Sequence, residues 1–199
     1  SLVVALAFSS CKKDINKTKD LTLNITGLED LGATARYEGW IITGGNPVST
    51  GVFTVNASGQ LSKTNFEVNK SDLANATAFV LTIEPFPDTD PAPSAQHILA
   101  GDFSAANASL SIGHSAALNT TFLTAAGKYV LATPSTPATT DELSGLWFIN
   151  LATGSPTAGL NLPALPTGWK YEGWALISGK PVSTGVFTSS SGADASSPF

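Results

Sequence analysis

The feature that most constrains the fold is a stretch of 18 residues that occurs twice. Residues 37–54 read YEGWIITGGNPVSTGVFT, and residues 171–188 read YEGWALISGKPVSTGVFT. The offset is 134 residues without a gap, and thirteen of the 18 positions are identical. Chance does not produce such a match, so the chain contains an internal duplication of a domain-sized unit.

Each copy has the pattern of a β-hairpin. Residues 37–43 are rich in aromatic and β-branched side chains, which suit a half-buried strand. The turn signal at residues 44–47 (GGNP) is followed by a second strand over residues 48–55. Within that strand, Gly51 predicts a β-bulge or a close approach of the backbone.

Among the residues that are identical in the two copies, the tryptophan and the glutamate are candidates for a functional role. We expect Trp40 and Trp174 to be core anchors, the alternative being that they stack on a carbohydrate or another ligand. Glu38 and Glu172 lie within a strand, where a carboxylate either faces solvent or accepts a buried hydrogen bond.

The rest of the chain also reads as short strands separated by turns, with no long amphipathic helix. In residues 76–84, Phe79, Leu81 and Ile83 alternate and predict one buried face. We therefore predict an all-β fold, an antiparallel β-sandwich of immunoglobulin-like general architecture with a duplicated hairpin motif. Further strand candidates are residues 21–25, 65–68, 98–103, 108–113 and 128–132.

Composition excludes some functions. Charged residues make up 13% of the 199 residues, and the net charge is −5. No cluster of Lys or Arg lies beside aromatic residues, so nucleic-acid binding has no electrostatic basis. No apolar run reaches the roughly 18 residues of a transmembrane helix.

The first residues have the pattern of an export signal. Residues 2–8 (LVVALAF) are apolar, and Ser9 and Ser10 precede Cys11, the one cysteine of the chain. This resembles the lipobox of bacterial lipoproteins, with Phe8 in place of the usual Leu. The resemblance implies that residues 1–11 are a lipoprotein signal peptide ending at a lipidated Cys11. A free or buried cysteine is the alternative.

Lipidation at Cys11 implies a membrane partner, because two or three acyl chains give stable anchoring. Residues 12–20 would then form a polar tether. No Asp directly follows the cysteine, which in such lipoproteins argues against retention in the inner membrane. We expect a protein of the cell envelope, anchored to the outer membrane or the cell surface.

The first copy contains four motifs in order: Tyr37-x-x-Trp40, residues 47–53 (PVSTGVF), residues 79–85 (FVLTIEP) before a Pro/Asp loop, and residues 98–101 (ILAG). Together they resemble the C-terminal extracytoplasmic domain of anti-sigma-K factors. The family typically has Gly-Gly-Ser after Glu-Pro, whereas here residues 86–90 read FPDTD. With a lipid anchor expected in place of a transmembrane helix, the resemblance implies an extracytoplasmic sandwich of this type, not sigma-factor inhibition.

We assign residues 21–133 to this sandwich and residues 134–199 to a partial, truncated second copy. Either the second domain is truncated on its own, or strands of both units close one shared sandwich. We favour the shared or closely packed arrangement, because an isolated half-domain exposes its apolar face.

No constellation of catalytic residues stands out, so we expect no enzyme, no cofactor and no metal. His97 and His114 have no Cys or acidic residue at zinc-ligand spacing. Asp88, Asp90 and Asp102 lack the spacing of a known Ca²⁺ loop.

The preferred hypothesis is a non-enzymatic lipoprotein whose sandwich binds an unknown protein or envelope component. Glu84 is expected to tie down the following loop, and the loop at residues 85–94 is where we expect function. A regulatory sensor of the anti-sigma type is a second hypothesis. A glycan-binding, hydrolytic or cell-surface adhesion module using Trp147, Trp169 or Trp174 is the third.

Overall fold

The computed structural model describes residues 17–138 and 140–191. The expected signal peptide and its lipidated Cys11 lie outside the described residues, so the anchor stays a prediction.

The first part of the chain contains seven strands and one short helix. They are β1 (Thr18–Thr22), β2 (Ala35–Thr43), β3 (Asn46–Phe53), β4 (Asn65–Asn69), α1 (Lys70–Ala74), β5 (Ala76–Pro85), β6 (His97–Ser104) and β7 (Asn107–Ala108). Asn69 caps the helix, because its side chain accepts a hydrogen bond from the backbone N–H of Ser71 at 2.9 Å.

These strands form a two-layered sandwich. One sheet has five strands in the order β3-β2-β5-β6-β7, and the other pairs β1 with β4; every pairing is antiparallel. The core lies between the two layers, and the predicted all-β antiparallel sandwich is confirmed. Its buried apolar side chains are Leu21, Leu23, Tyr37, Ile41, Phe53, Val55, Phe66, Val68, Phe79 and Leu81.

The predicted hairpin and its bulge are present. β2 pairs with β3, and the register shifts after Gly39, so that Gly39 faces Gly51 while Trp40 faces Ser49. Gly51 has a φ of 117°, which side-chain-bearing residues rarely adopt. A Cβ built on Gly39 would lie 2.7 Å from Cζ of Phe79, so a glycine is also needed on the opposite strand.

The second part of the chain forms short antiparallel ladders. Its strands are β8 (Ala126–Gly127), β9 (Val130–Leu131), β10 (Leu146–Trp147), β11 (Ile149–Asn150), β12 (Thr157–Ala158), β13 (Leu160–Asn161), β14 (Tyr171–Ile177) and β15 (Lys180–Phe187). β10 pairs with β9 and β13 with β8, so hydrogen-bonded ladders cross the division that we placed between residues 133 and 134.

The second hairpin forms a two-stranded sheet of its own. Within residues 17–138 and 140–191, β14 pairs with β15 and no ladder joins this hairpin to the five-stranded sheet. The second hairpin therefore does not extend the five-stranded sheet in the described part of the chain.

Three expectations from the sequence need correction. The core-anchor prediction is confirmed for Trp40, which is 4% exposed, and wrong for Trp174, which is 57% exposed because, among the described residues, no strand other than β15 pairs with β14. The polar tether ends earlier than residue 20, because β1 begins at Thr18 and pairs with β4. Its polar side chains do not prevent this pairing, since strands pair through their backbones. Of the strand expected at residues 108–113, only Ala108 lies in β7 and Ser111 forms an isolated bridge to Ala100.

Candidate functional site: the loop after β5

Polar side chains gather on the face of the five-stranded sheet that points away from the main core. The indole Nε1 of Trp40 donates to Oγ1 of Thr82 at 2.9 Å, and this Thr82 hydroxyl donates to Glu84 Oε1. Beside them, the hydroxyl of Ser49 donates to Glu38 Oε1. Alternation along β2 and β5 produces this arrangement, because every second residue points to the same face.

Glu84 connects this face to the loop that follows β5. Its side chain is only 2% exposed, and both carboxylate oxygens accept the backbone N–H of Ser94, at 3.0 and 3.1 Å. The hydroxyl of Ser94 in turn donates to the carbonyl of Ile83 at 2.7 Å. A buried carboxylate is tolerated only when it is hydrogen-bonded. Glu84 thus fixes the far end of the loop against the end of β5, and the sequence expectation for this residue is confirmed.

The near end of the loop is also held. Phe86 donates its N–H to the carbonyl of Thr34 at 2.8 Å, and the guanidinium carbon of Arg36 lies 4.1 Å from the centre of the Phe86 ring. Arg36 itself donates from Nη1 to the carbonyl of Ala35 at 2.7 Å. The ring of Phe86 nevertheless remains 52% exposed. A cation–π contact therefore supports an aromatic side chain that faces solvent.

The two aspartates of the loop shape its backbone. Oδ1 of Asp88 accepts the N–H of Asp90, and Oδ1 of Asp90 accepts the N–H of Ala92, both at 2.9 Å. These are Asx turns, in which the side chain replaces a backbone turn bond. The loop is thus an ordered, exposed, acidic surface with one aromatic side chain at its start.

The pKa of Glu38 departs from its ordinary value. Burial raises the pKa of Glu38, and the negative charges of Glu84 and Asp88 raise it further, while the hydrogen bond from Ser49 opposes the shift. Its counterpart Glu172 is exposed in the second hairpin. The same residue type thus has different environments in the two copies.

The histidines take part in separate local contacts. Nδ1 of His97 lies 3.0 Å from the carbonyl oxygen of Ala116, and Nε2 of His114 lies 3.4 Å from Oδ1 of Asp102. Within the described ranges, no group of three or more His, Cys, Asp or Glu side chains is placed to hold a metal ion. The Asp88 and Asp90 carboxylates accept hydrogen bonds within their own loop, and Asp102 lies beside His114.

A groove of about 1070 Å³ with a mixed apolar and polar lining opens between the two sheets, on the side of β6 and β7. Phe79 lies in its wall, and the exposed residues Lys19, Asp20 and Lys70 also line it. The groove lies where the five-stranded sheet extends beyond the narrower two-stranded sheet. Its further apolar lining includes Leu21, Leu23, Leu73, Leu99, Phe103 and Leu110.

Sequence reasoning located the loop but missed its partners. The ring of Phe86 and the guanidinium of Arg36 are far apart in sequence, and no local pattern signals their contact. The register of β2 against β5 places Arg36 across from Glu84 and so next to the loop. The bond between Trp40 and Thr82 depends on the same register.

The comparison with protein families found one match. Residues 14–98 match the family described as "Anti-sigma-K factor rskA, C-terminal", which is less than half of the 199 residues. The matched segment includes β1 to β5, the first two residues of β6, the first hairpin and the loop after β5. No curated protein and no solved structure gives a significant match.

The matched family consists of regulatory, non-enzymatic domains that are typically extracytoplasmic or associated with a membrane. Across residues 17–138 and 140–191, no helix combines the length and the apolar character needed to cross a membrane.

Proposed function

We propose that this chain is a non-enzymatic lipoprotein, anchored outside the cytoplasmic membrane, whose sandwich is a regulatory binding module of the anti-sigma-factor C-terminal type. The observation that carries the proposal is the family match over residues 14–98, which includes the first hairpin and the candidate loop. The apolar run and small residues before Cys11 support the anchor. The absence of Asp after Cys11 favours the outer membrane or the cell surface.

The loop after β5 is the proposed contact surface for a protein partner. Aromatic and arginine side chains dominate the binding energy of protein interfaces, and Phe86 with Arg36 beneath it provides both. Because Glu84 and Thr34 hold the two ends of the loop, little conformational entropy is lost when a partner binds.

The anchor is tested by replacing the cysteine. Cys11→Ala should abolish incorporation of an alkyne-labelled fatty acid and release the protein to the soluble fraction. Ser10→Ala is the matched control, because it keeps a small side chain before the cysteine and should leave labelling unchanged. Separation of inner and outer membranes in the same experiment tests the location. Unchanged membrane association of Cys11→Ala would refute the anchor.

The regulatory role is tested by gene deletion and complementation. Deletion should change the transcripts that depend on a sigma factor, and the wild-type chain should restore them. Phe86→Ala should fail to restore them, whereas Tyr129→Ala, which removes another exposed aromatic ring, should succeed. A flat transcriptome on deletion refutes the regulatory role. Full restoration by Phe86→Ala refutes the loop as the contact surface.

A glycan-binding or adhesion module is the second candidate, favoured by the exposure of the Trp147 ring. Its Nε1 donates to the carbonyl of Ala132 at 3.1 Å, which orients the ring while leaving it 46% exposed. A glycan array and a hydrolase substrate panel test this candidate, and blank results in both remove it.

A further inference from the structure

The two hairpins have the same internal geometry. Tyr37 stacks on Phe53 with ring centres 5.4 Å apart, and Tyr171 stacks on Phe187 at 5.5 Å. The register shift after Gly39 recurs after Gly173. The second hairpin is therefore a full structural copy of the first, although it lies in a different sheet.

The hairpins differ in what covers them. β2 is paired along its whole length with β5, from Ala35 opposite Pro85 to Thr43 opposite Ala76. The Phe79 ring fills the space over Gly39. Among the described residues, a Cβ built on Gly173 would meet only the Thr184 side chain of its own hairpin.

One edge of β14 is uncovered by the residues that the structure describes, and it can be identified from β2. The carbonyl of Thr34 accepts the N–H of Phe86 on the side of β5, and alternate residues of an antiparallel strand point their backbone groups to the same side. At the matching positions of β14, this edge carries the backbone groups of Glu172, Trp174 and Leu176. The side chains of Trp174 and Leu176 are 57% and 76% exposed.

An open strand edge with apolar side chains is a site for pairing with another strand, and soluble proteins usually protect such edges with charged residues. Within Tyr171–Ile177, β14 has one charged residue, Glu172, and no lysine, arginine or proline. The edge therefore has little of the common protection against strand addition.

We propose that the β14 edge is a docking site for an extended strand from a partner protein, with the chemistry of β5. Such a strand alternates apolar residues, as β5 does with Phe79 and Leu81. Its aromatic side chain would lie opposite Ala175, the counterpart of Ile41, which faces Phe79 in the first copy. Ala175 and Gly173 together leave more room there than Ile41 and Gly39.

Charge complementarity favours one register of the added strand. In the first copy, Arg36 lies opposite Glu84 in the strand register, although their side chains bond to other groups. Lys170 holds the position of Arg36 in the second copy and is exposed. A carboxylate in the partner strand, five residues after its aromatic residue as Glu84 is after Phe79, would lie opposite Lys170 and complement its charge. This addition of a strand to a sheet edge is a common mode of peptide recognition, and it does not depend on the lipid anchor.

The probe is a fluorescein-labelled peptide of residues 70–85 (KSDLANATAFVLTIEP), added to the full chain and followed by fluorescence anisotropy. We expect saturable binding. Leu176→Lys should weaken binding about tenfold or more, because it places a charge beside the edge. Leu143→Lys is the matched control, since Leu143 is an equally exposed leucine outside the second hairpin, and it should bind as the wild type does.

A second measurement does not rely on variants. Hydrogen exchange of the wild-type chain should slow at the amides of β14 on addition of the peptide, with β2 unchanged. A peptide with Phe79→Asp should give no such protection. Absence of binding, equal binding by Leu176→Lys, or protection of β2 in place of β14 would overturn the proposal. Self-association of the chain that Leu176→Lys abolishes would also overturn it, because the occupant would then be a second copy.

Discussion

Trp40 and Trp174 occupy the same position in two hairpins of the same geometry, yet one indole is buried and the other is exposed. Trp40 contacts a neighbouring strand, and its Nε1 donates to Thr82 Oγ1 at 2.9 Å. Within residues 17–138 and 140–191, β14 pairs with β15 alone, so Trp174 has no counterpart of β5 beside it. The environment of this tryptophan is thus set by what pairs with the hairpin and not by the hairpin itself.

The first prediction compares the two tryptophans. Trp40→Ala should lower the free energy of unfolding by about 3–5 kcal/mol, because it leaves a cavity and removes the partner of Thr82. Trp174→Ala should change it by no more than about 0.5 kcal/mol, as expected for a surface substitution. Urea unfolding followed by circular dichroism measures both. Equal losses for the two variants would contradict the exposure difference.

The second prediction concerns the pH dependence of stability. Because burial holds the pKa of Glu38 in the folded chain above its ordinary value of 4.5, the folded state binds the proton more tightly than the unfolded state. The contribution of Glu38 is therefore fully present below pH 4.5 and is lost as the pH rises through the folded pKa. Glu38→Gln removes this loss, so its stability relative to wild type should increase with pH across that window.

The second copy of the hairpin provides the control for this experiment. Glu172→Gln changes the matched but exposed residue, and its unfolding curves should run parallel to wild type at each pH. Urea titrations between pH 4 and pH 8 provide the comparison. Parallel behaviour of Glu38→Gln and wild type would show that burial does not shift this carboxyl group.

The third prediction concerns the loop after β5. Glu84→Gln removes the charge and one of the two oxygens that share the Ser94 N–H, which leaves a single bond to a neutral amide oxygen. Since hydrogen bonds to charged groups contribute roughly 1.5–3 kcal/mol and neutral ones roughly 0.5–1.5 kcal/mol, we expect a loss of stability of about 1 kcal/mol. Amide exchange of the loop should accelerate. Glu67→Gln, on an exposed site of β4, is the control and should leave exchange in the loop unchanged. An unchanged loop in Glu84→Gln would contradict the anchoring role.

Local patterns in the sequence predicted the hairpins, the bulge at Gly51, the buried face of β5 and the loop anchored by Glu84. Each of these depends on residues that are close in sequence or on simple alternation. The exposure of Trp174 was not predictable in this way, because residues 171–174 are identical to residues 37–40 and only the neighbouring strand differs.

The candidate site was less accessible to sequence reasoning than the fold. The contact of Arg36 with Phe86 and the bond of Trp40 to Thr82 both require the register of β2 against β5. Registers between strands that are distant in the chain depend on the packing of the whole sheet, which alternation alone does not specify.

The tyrosine of each hairpin also has a consequence for the order of folding. The hydroxyl of Tyr37 donates to the carbonyl of Glu29, and that of Tyr171 to the carbonyl of Pro163, each closing a loop of only eight residues. Short loops cost less chain entropy to close than the distant pairing of β2 with β5. We expect both hairpins to nucleate independently, so that pulse-labelled hydrogen exchange finds their amides protected before those of β6. Protection of the β6 amides before those of the hairpins would contradict independent nucleation of the two hairpins.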